Sequence, residues 1–170
     1  MHNIEFINVD RATAEWARNL HNDPDVLRML TDPHHVTPEE QLVWLSKIDS
    51  SSSSYRWVAL SKGNAVGVVR IDQLDRHNKS VCVGLDIHKD FRGQGYAKPV
   101  YRAVFRHFFE DEKFHRVWLY VAAYNQVARN LYSSLGFTEE GVQRQALYKE
   151  GTYHDYIMMS ILKEEYQNNE

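Results

Sequence analysis

The stretch Arg92-Gly93-Gln94-Gly95-Tyr96-Ala97 is where residue types and spacing first point to chemistry. Small residues at 93, 95 and 97 let a backbone come close to a ligand. Successive N–H groups at the start of a helix form an anion site, and a pyrophosphate is its natural guest. Arg92 and Lys98 add positive charge. A glycine-bearing turn with no ligand fits the same residues, because short glycine motifs recur by chance. Other nucleotide loops fit poorly. The chain lacks Gly-x-x-x-x-Gly-Lys-Ser/Thr, so a P-loop is unsupported. A dinucleotide fold places three spaced glycines early in a βαβ unit, whereas this loop lies past the middle of 170 residues.

Nine histidines and one cysteine raise two further chemistries. No His-Glu-x-x-His and no Cys/His spacing is present, so no metal is expected. His34 and His35 stand before Thr37, in what reads as an exposed helix-linking loop. Cys82 lies in an apolar run and reads as a small core residue rather than a nucleophile. A single cysteine allows no intrachain disulfide, which suits an intracellular, cytoplasmic chain.

The elements that must position these residues follow from periodicity and punctuation. Ile4 to Val9 suits a strand and Thr13 to Leu20 a helix. Asp23 before Pro24 starts a helix expected to reach about Leu30. Thr37-Pro38-Glu39-Glu40 is a capping box, followed by the helical stripe Leu42, Leu45 and Ile48. Ser50 to Ser54, five serines, reads as a mobile loop. Tyr55 to Leu60, Ala65 to Ile71 and Val81 to His88 form an antiparallel meander. A long helix follows to about Lys113, with Tyr101, Val104, Phe105 and Phe108 on one face. Arg116 to Val121 is a strand, and Gln126 to Leu135 is a helix closed by Gly136. Phe137 to Tyr148 and Tyr153 to Leu162 make a hairpin, and the tail after Tyr166 is expected to fray. The order predicts an α/β (α+β) chain with a mixed sheet.

On these residues a family resemblance becomes specific. Leu85-x-Ile87-x-x-x-Phe91-Arg92-Gly93-x-Gly95-x-Ala97 resembles the acetyl-CoA loop of the GNAT superfamily of N-acetyltransferases. Asn125-x-x-Ala128-x-x-Leu131-Tyr132-x-x-x-Gly136-Phe137 is similar to that family's second signature, in the right order downstream. Gly151-x-Tyr153-x-Asp155 before Met158 and Met159 resembles the branch holding ribosomal-protein, polyamine and amino-sugar acetyltransferases.

The resemblance implies a GNAT-like, mostly antiparallel mixed sheet with a central splayed pair of parallel strands, flanked by helices. It implies one N-acetyltransferase domain over 1–170, with acceptor-side helices in 1–50 and the acetyl-CoA-binding core in 55–163. Acetyl-CoA would enter as co-substrate. The backbone of Leu85, Asp86 and Ile87 would line its arm, and the amides of Arg92, Gly93, Gln94, Gly95, Tyr96 and Ala97 would take its pyrophosphate. Asn125 would bind the pantetheine end, and Tyr132 would serve the departing sulfur. A base is harder to place. Many relatives carry Glu or His on the strand before the loop, but Val81 and Val83 stand at the matching parity. Asp72, and after it Asp86, are the candidates to act through water.

A small-molecule amine is the expected acceptor, an amino-sugar nucleotide or a polyamine, with protein N-termini as another class. A non-catalytic acyl-CoA sensor is the rival reading, and a homodimer stays open. Net charge is −3, which argues against a nucleic-acid partner. No apolar run is long enough to span a membrane.

Overall fold

The computed structural model describes residues 3–30, 34–48 and 51–168. They fall into two compact units, Met1–Leu74 with Val83–Val104, and Asp75–Cys82 with Phe105–Glu170. The strands are β1 (Glu5–Asn8), β2 (Tyr55–Ser61), β3 (Asn64–Asp75), β4 (Ser80–Ile87), β5 (Arg116–Ala122), β6 (Thr138–Lys149) and β7 (Thr152–Leu162). The helices are α1 (Ala14–His21), α2 (Pro24–Leu27), α3 (Pro38–Ile48), α4 (Ala97–Phe105), α5 (Gln126–Ser134) and α6 (Lys163–Asn168). Strand order is β1-β2-β3-β4-β5-β7-β6. The β4–β5 pair is parallel, as the mixed-sheet expectation requires.

In the first unit, β1 and β3 flank β2 in antiparallel ladders. Lys62 (φ 51°) and Gly63 (φ 77°) make the β2–β3 turn. Val58 and Val68 face each other across that ladder. Val58 packs with Val9, Ala14 and Leu45, and Val68 with Leu20, Val26 and Leu30. These contacts seat α1, α2 and α3 on one side of β2 and β3. Ala59, Val69 and Ile71, of opposite parity, are buried too, so β3 carries apolar residues on both faces.

Both predicted helix starts carry side-chain caps. Asp23 accepts from the amides of Asp25 (2.9 Å) and Val26 (3.3 Å). Glu40 Oε2 accepts from Thr37 N (2.8 Å), and Thr37 Oγ1 accepts from Glu40 N (3.2 Å), the two halves of a capping box. Thr37→Ala is expected to lower unfolding free energy by about 1 kcal/mol, read as a lower urea midpoint with unchanged slope. α2, however, stops at Leu27 instead of running on to about Leu30.

In the second unit, β5, β7 and β6 pair antiparallel, and the start of β4 joins β5 through Ser80↔Arg116, Val81↔Val117 and Cys82↔Trp118. The long helix expected to run to Lys113 is not α-helical throughout. α4 ends at Phe105, and Arg106–Asp111 is a π-helix in which Glu112 N reaches the carbonyl of His107 (2.9 Å). The wider turn accommodates the adjacent Phe108 and Phe109, both fully buried. Phe105 stacks on Phe109, and Phe108 sits edge-on to Phe114.

Of the tail expected to fray after Tyr166, residues 169 and 170 lie outside the described residues, and 167 and 168 belong to α6, where Glu165 accepts from Leu162 N (2.8 Å) and the Tyr166 hydroxyl donates to Glu110 (2.6 Å) while its ring packs on Phe105 and Phe109. Of the serine run, Ser50 lies outside the described residues. Ser51–Ser54 form a bend in which Ser51 Oγ accepts from the amides of Ser53 and Ser54, and Leu74 N donates to the Ser53 carbonyl (2.9 Å).

Candidate active site

The glycine loop begins where β4 ends. His88 caps a 3-10 turn, Lys89–Phe91, with its ring Nδ1 accepting from Asp90 N (3.4 Å). Gly93 (φ +73°) and Gly95 (φ +80°) then hold left-handed backbone that other residues adopt at a cost. A Cβ at either position would meet no described atom within 4 Å. α4 starts at Ala97, with Val100 N on the Tyr96 carbonyl (3.1 Å), and the rings of Phe91 and Tyr96 meet edge-on at 5.3 Å. The Gln94 side chain donates to the carbonyl of Asp90. Bare backbone with open space around it, ahead of a nine-residue helix, is compatible with a diphosphate.

Arg92 departs from the expectation that its charge serves that anion. Its Nε donates to the carbonyl of Ile87 (2.9 Å), Nη1 to Asp25 (3.1 Å) and Nη2 to Asp23 (3.3 Å). Burial pushes the Asp23 carboxyl up. Hydrogen bonds from Arg92 and from the amides of Asp25 and Val26 outweigh it and hold the carboxyl below the usual carboxylate range.

On β4, Val81 and Val83 are 0% and 1% exposed and belong to the core, whereas Leu85 and Ile87 of the same parity are half-buried. The other parity carries charge. Asp86 pairs with Arg70 (3.2 Å), whose guanidinium lies across Gly84. Arg56 pairs with Asp72 (2.9 Å), donates to the carbonyls of Tyr55 and Ile71, and lies under the ring of Trp44 at 5.9 Å. Arg56 and Arg70 are directly opposed in the β2–β3 ladder. Like charges so placed repel, and Asp72 and Asp86 offset them. Burial lowers the Arg56 pKa against the opposing pull of Asp72. Both candidate bases therefore already hold guanidinium groups, a constraint the sequence did not announce. The backbone here is also crowded: a Cβ on Gly67 would stand 2.5 Å from the Asp86 carbonyl oxygen.

The second unit carries the other predicted residues. Asn125 is the N-cap of α5, its Oδ1 accepting from Ala128 N (3.1 Å). Tyr132 is half-buried, one helix turn before the left-handed Gly136 (φ 93°), and its ring lies 5.6 Å from that of Phe137.

Elsewhere, His34 Nε2 pairs with Glu40 (3.0 Å) and His35 is exposed. Cys82, read as buried, is half-buried. Among the described residues no three His, Cys, Asp or Glu side chains could hold a metal ion together. No helix of the described residues is long and apolar enough to cross a membrane.

Residues 6–138 match the family model for the acetyltransferase (GNAT) domain. The putative ribosomal N-acetyltransferase YdaF of Bacillus subtilis (strain 168) is 32% identical over 108 residues, covering 64% of this chain and 59% of that one. A spermidine N(1)-acetyltransferase of Vibrio cholerae is 24% identical over 161 residues, covering 94% and 93%. The crystal structure of spermidine N-acetyltransferase from Vibrio cholerae in complex with CoA and spermine matches with a TM-score of 0.91 at 23% identity, over 98% of this chain and 99% of the other.

Proposed function

Because the chain belongs to the acetyltransferase (GNAT) domain family, we propose that it transfers an acetyl group from acetyl-CoA to a primary amine, and that the acceptor is a polyamine. The observation that carries the cofactor half is the loop, where Gly93 and Gly95 hold positive φ and present bare backbone ahead of α4. The acceptor half is supported by the spermidine acetyltransferase that aligns over 94% of the chain.

Acetyl-CoA supplies an acyl thioester whose carbonyl carbon accepts the amine nitrogen as its C–S bond breaks. The amides from Arg92 to Ala97 hold the diphosphate. The backbone of Leu85, Asp86 and Ile87 lines the arm, and an N–H there donates to the developing oxyanion. Asn125 keeps Oδ1 on its cap and offers its amide N–H to the pantetheine. Tyr132 gives the leaving sulfur its proton. Phenols ionise near pH 10 and thiols near about 8.5, so a tyrosine hydroxyl is a donor at neutral pH. Asp72 takes the amine's proton through water, with Asp86 as alternative. In either case the carboxylate must do so while holding an arginine.

The test is thiol release from acetyl-CoA with spermidine, an amino sugar nucleotide and a peptide amine in parallel. Turnover with spermidine is the expected result. CoA binding without turnover on any acceptor would favour a non-catalytic sensor. A peptide amine is the second reading, favoured by the 32% identity with a putative ribosomal N-acetyltransferase, and turnover confined to the peptide arm would select it. Tyr132→Phe is expected to lower kcat about 100-fold while acetyl-CoA affinity stays within about twofold. Equal kcat in both proteins removes Tyr132 from the chemistry.

A further inference from the structure

We infer that Arg92, Asp23 and Asp25 form a strut that fixes the shape of the Arg92–Ala97 loop, so that carboxylates at the start of α2 set how well the loop binds a diphosphate. It rests on the acetyl-CoA reading of that loop. Two left-handed glycines make the segment costly to order, since glycine loses more backbone freedom than other residues. Something must hold it, and Arg92 is placed to do so. It stands at the exit of the 3-10 turn with extended backbone (φ −66°, ψ 146°), immediately before Gly93. Its three donors reach the end of β4 and two carboxylates 69 and 67 residues away in sequence.

The partners are themselves fixed. The Asp23 oxygen that receives Arg92 Nη2 also accepts the amides of Asp25 and Val26. Arg92 is 32% exposed and Asp23 17%, so water screens this pair only in part. Asp25 is 62% exposed and is the weaker anchor. A guanidinium with a carboxylate on each of two nitrogens has little charge left for a third anion. Its fork also suits the task in a way an ammonium does not, because the geometry of its donors is rigid. Arg92 is thus a positioning residue: its backbone meets the diphosphate, and its side chain aims that backbone.

The test uses the full chain with Asp23→Asn plus Asp25→Asn, which removes both charges while Asn keeps a capping oxygen on α2. Amide hydrogen exchange is followed without ligand, and CoA affinity is measured by calorimetry. Loop amides 93–97 are expected to exchange about tenfold faster, and the CoA Kd to rise about tenfold, the loss of one charge-assisted hydrogen bond. kcat at saturating acetyl-CoA is expected to stay within about twofold, whereas KM for acetyl-CoA rises with Kd. Arg92→Gln on that background is expected to add little, and Arg92→Lys in the native background to keep part of the protection. Unchanged loop exchange in the double variant overturns the strut. So does a full further loss of CoA affinity from Arg92→Gln on that background, since the guanidinium would then be touching the diphosphate itself. If the native protein failed to bind CoA while loop exchange still answered to Asp23 and Asp25, the strut would stand and the cofactor reading would fall.

Discussion

Gly67→Ala is expected to cost about 3 kcal/mol of stability and to remove most acetyltransfer activity, although residue 67 is no part of the proposed chemistry. The added Cβ would lie 2.5 Å from the carbonyl oxygen of Asp86, 3.1 Å from Ile87 Cδ1 and 3.4 Å from the Asp86 carbonyl carbon. The nearest atom is backbone, not the tip of a side chain that can turn away. That strand is held at residue 86 by the ion pair of the Asp86 side chain with Arg70 (3.2 Å), and two residues on by His88 N on the Val66 carbonyl (2.9 Å). Relief therefore means moving β4 at Leu85–Ile87, the segment proposed to line the thioester. Gly84→Ala is the instructive contrast. Its Cβ would meet the Arg70 guanidinium at 2.6 Å, and a guanidinium can swing aside at the expense of its pair with Asp86. Urea denaturation of both variants tests the difference, with Gly67→Ala the more destabilised. Equal midpoints for Gly67→Ala and the native protein would show that β4 yields freely there.

What separates Gly67 from Gly95 is also what separates the illegible from the legible in this chain. Gly95 sits in a run whose neighbours in sequence announce a turn into a helix. Local signals of that sort also gave the caps at Asp23 and Thr37 and the break at Gly136. The obstacle at Gly67 lies on another strand, 19 positions on, and no local pattern carries it. The same holds for the charges. Asp72 and Asp86 looked like spare carboxylates because the arginines that hold them lie on neighbouring strands, Arg56 across the β2–β3 ladder from Asp72 and Arg70 on β3 beside Asp86 on β4. Arg92 was legible as a positive charge but not as a strut, since its partners precede it by more than 60 residues. Val81 and Val83 were legible as apolar residues sharing one face of β4, and their burial is what packing adds, since period-2 alternation says which residues share a face and not which face is the core. The π-helix at Arg106–Asp111 and the helix after Leu162 escaped in part because the contact they share, Phe109 against Tyr166, joins residues far apart in sequence.

Gly95→Glu should abolish CoA binding in a folded protein, a loss of at least about 100-fold in affinity. Two costs must be kept apart. A non-glycine residue at φ +80° is strained by about 1–2 kcal/mol whatever its side chain. Gly95→Ala carries that strain alone. Its Cβ meets no described atom within 4 Å, so it is expected to bind CoA within about tenfold of the native protein. Glutamate adds a carboxylate beside the amides of Arg92 to Ala97, where it competes with the diphosphate for the same donors and repels it. Repulsion at an exposed loop is screened by salt, so raising ionic strength from about 0.1 M to about 1 M should restore part of the affinity of Gly95→Glu and none of that lost by Gly95→Ala. Calorimetry at both salt concentrations, with thermal unfolding to confirm that each variant is folded, reads this directly. A folded Gly95→Glu protein with native affinity would move the diphosphate off this loop. A loss that ignores salt and is matched by alanine would mean that the loop's shape, and not its charge, is what the coenzyme requires.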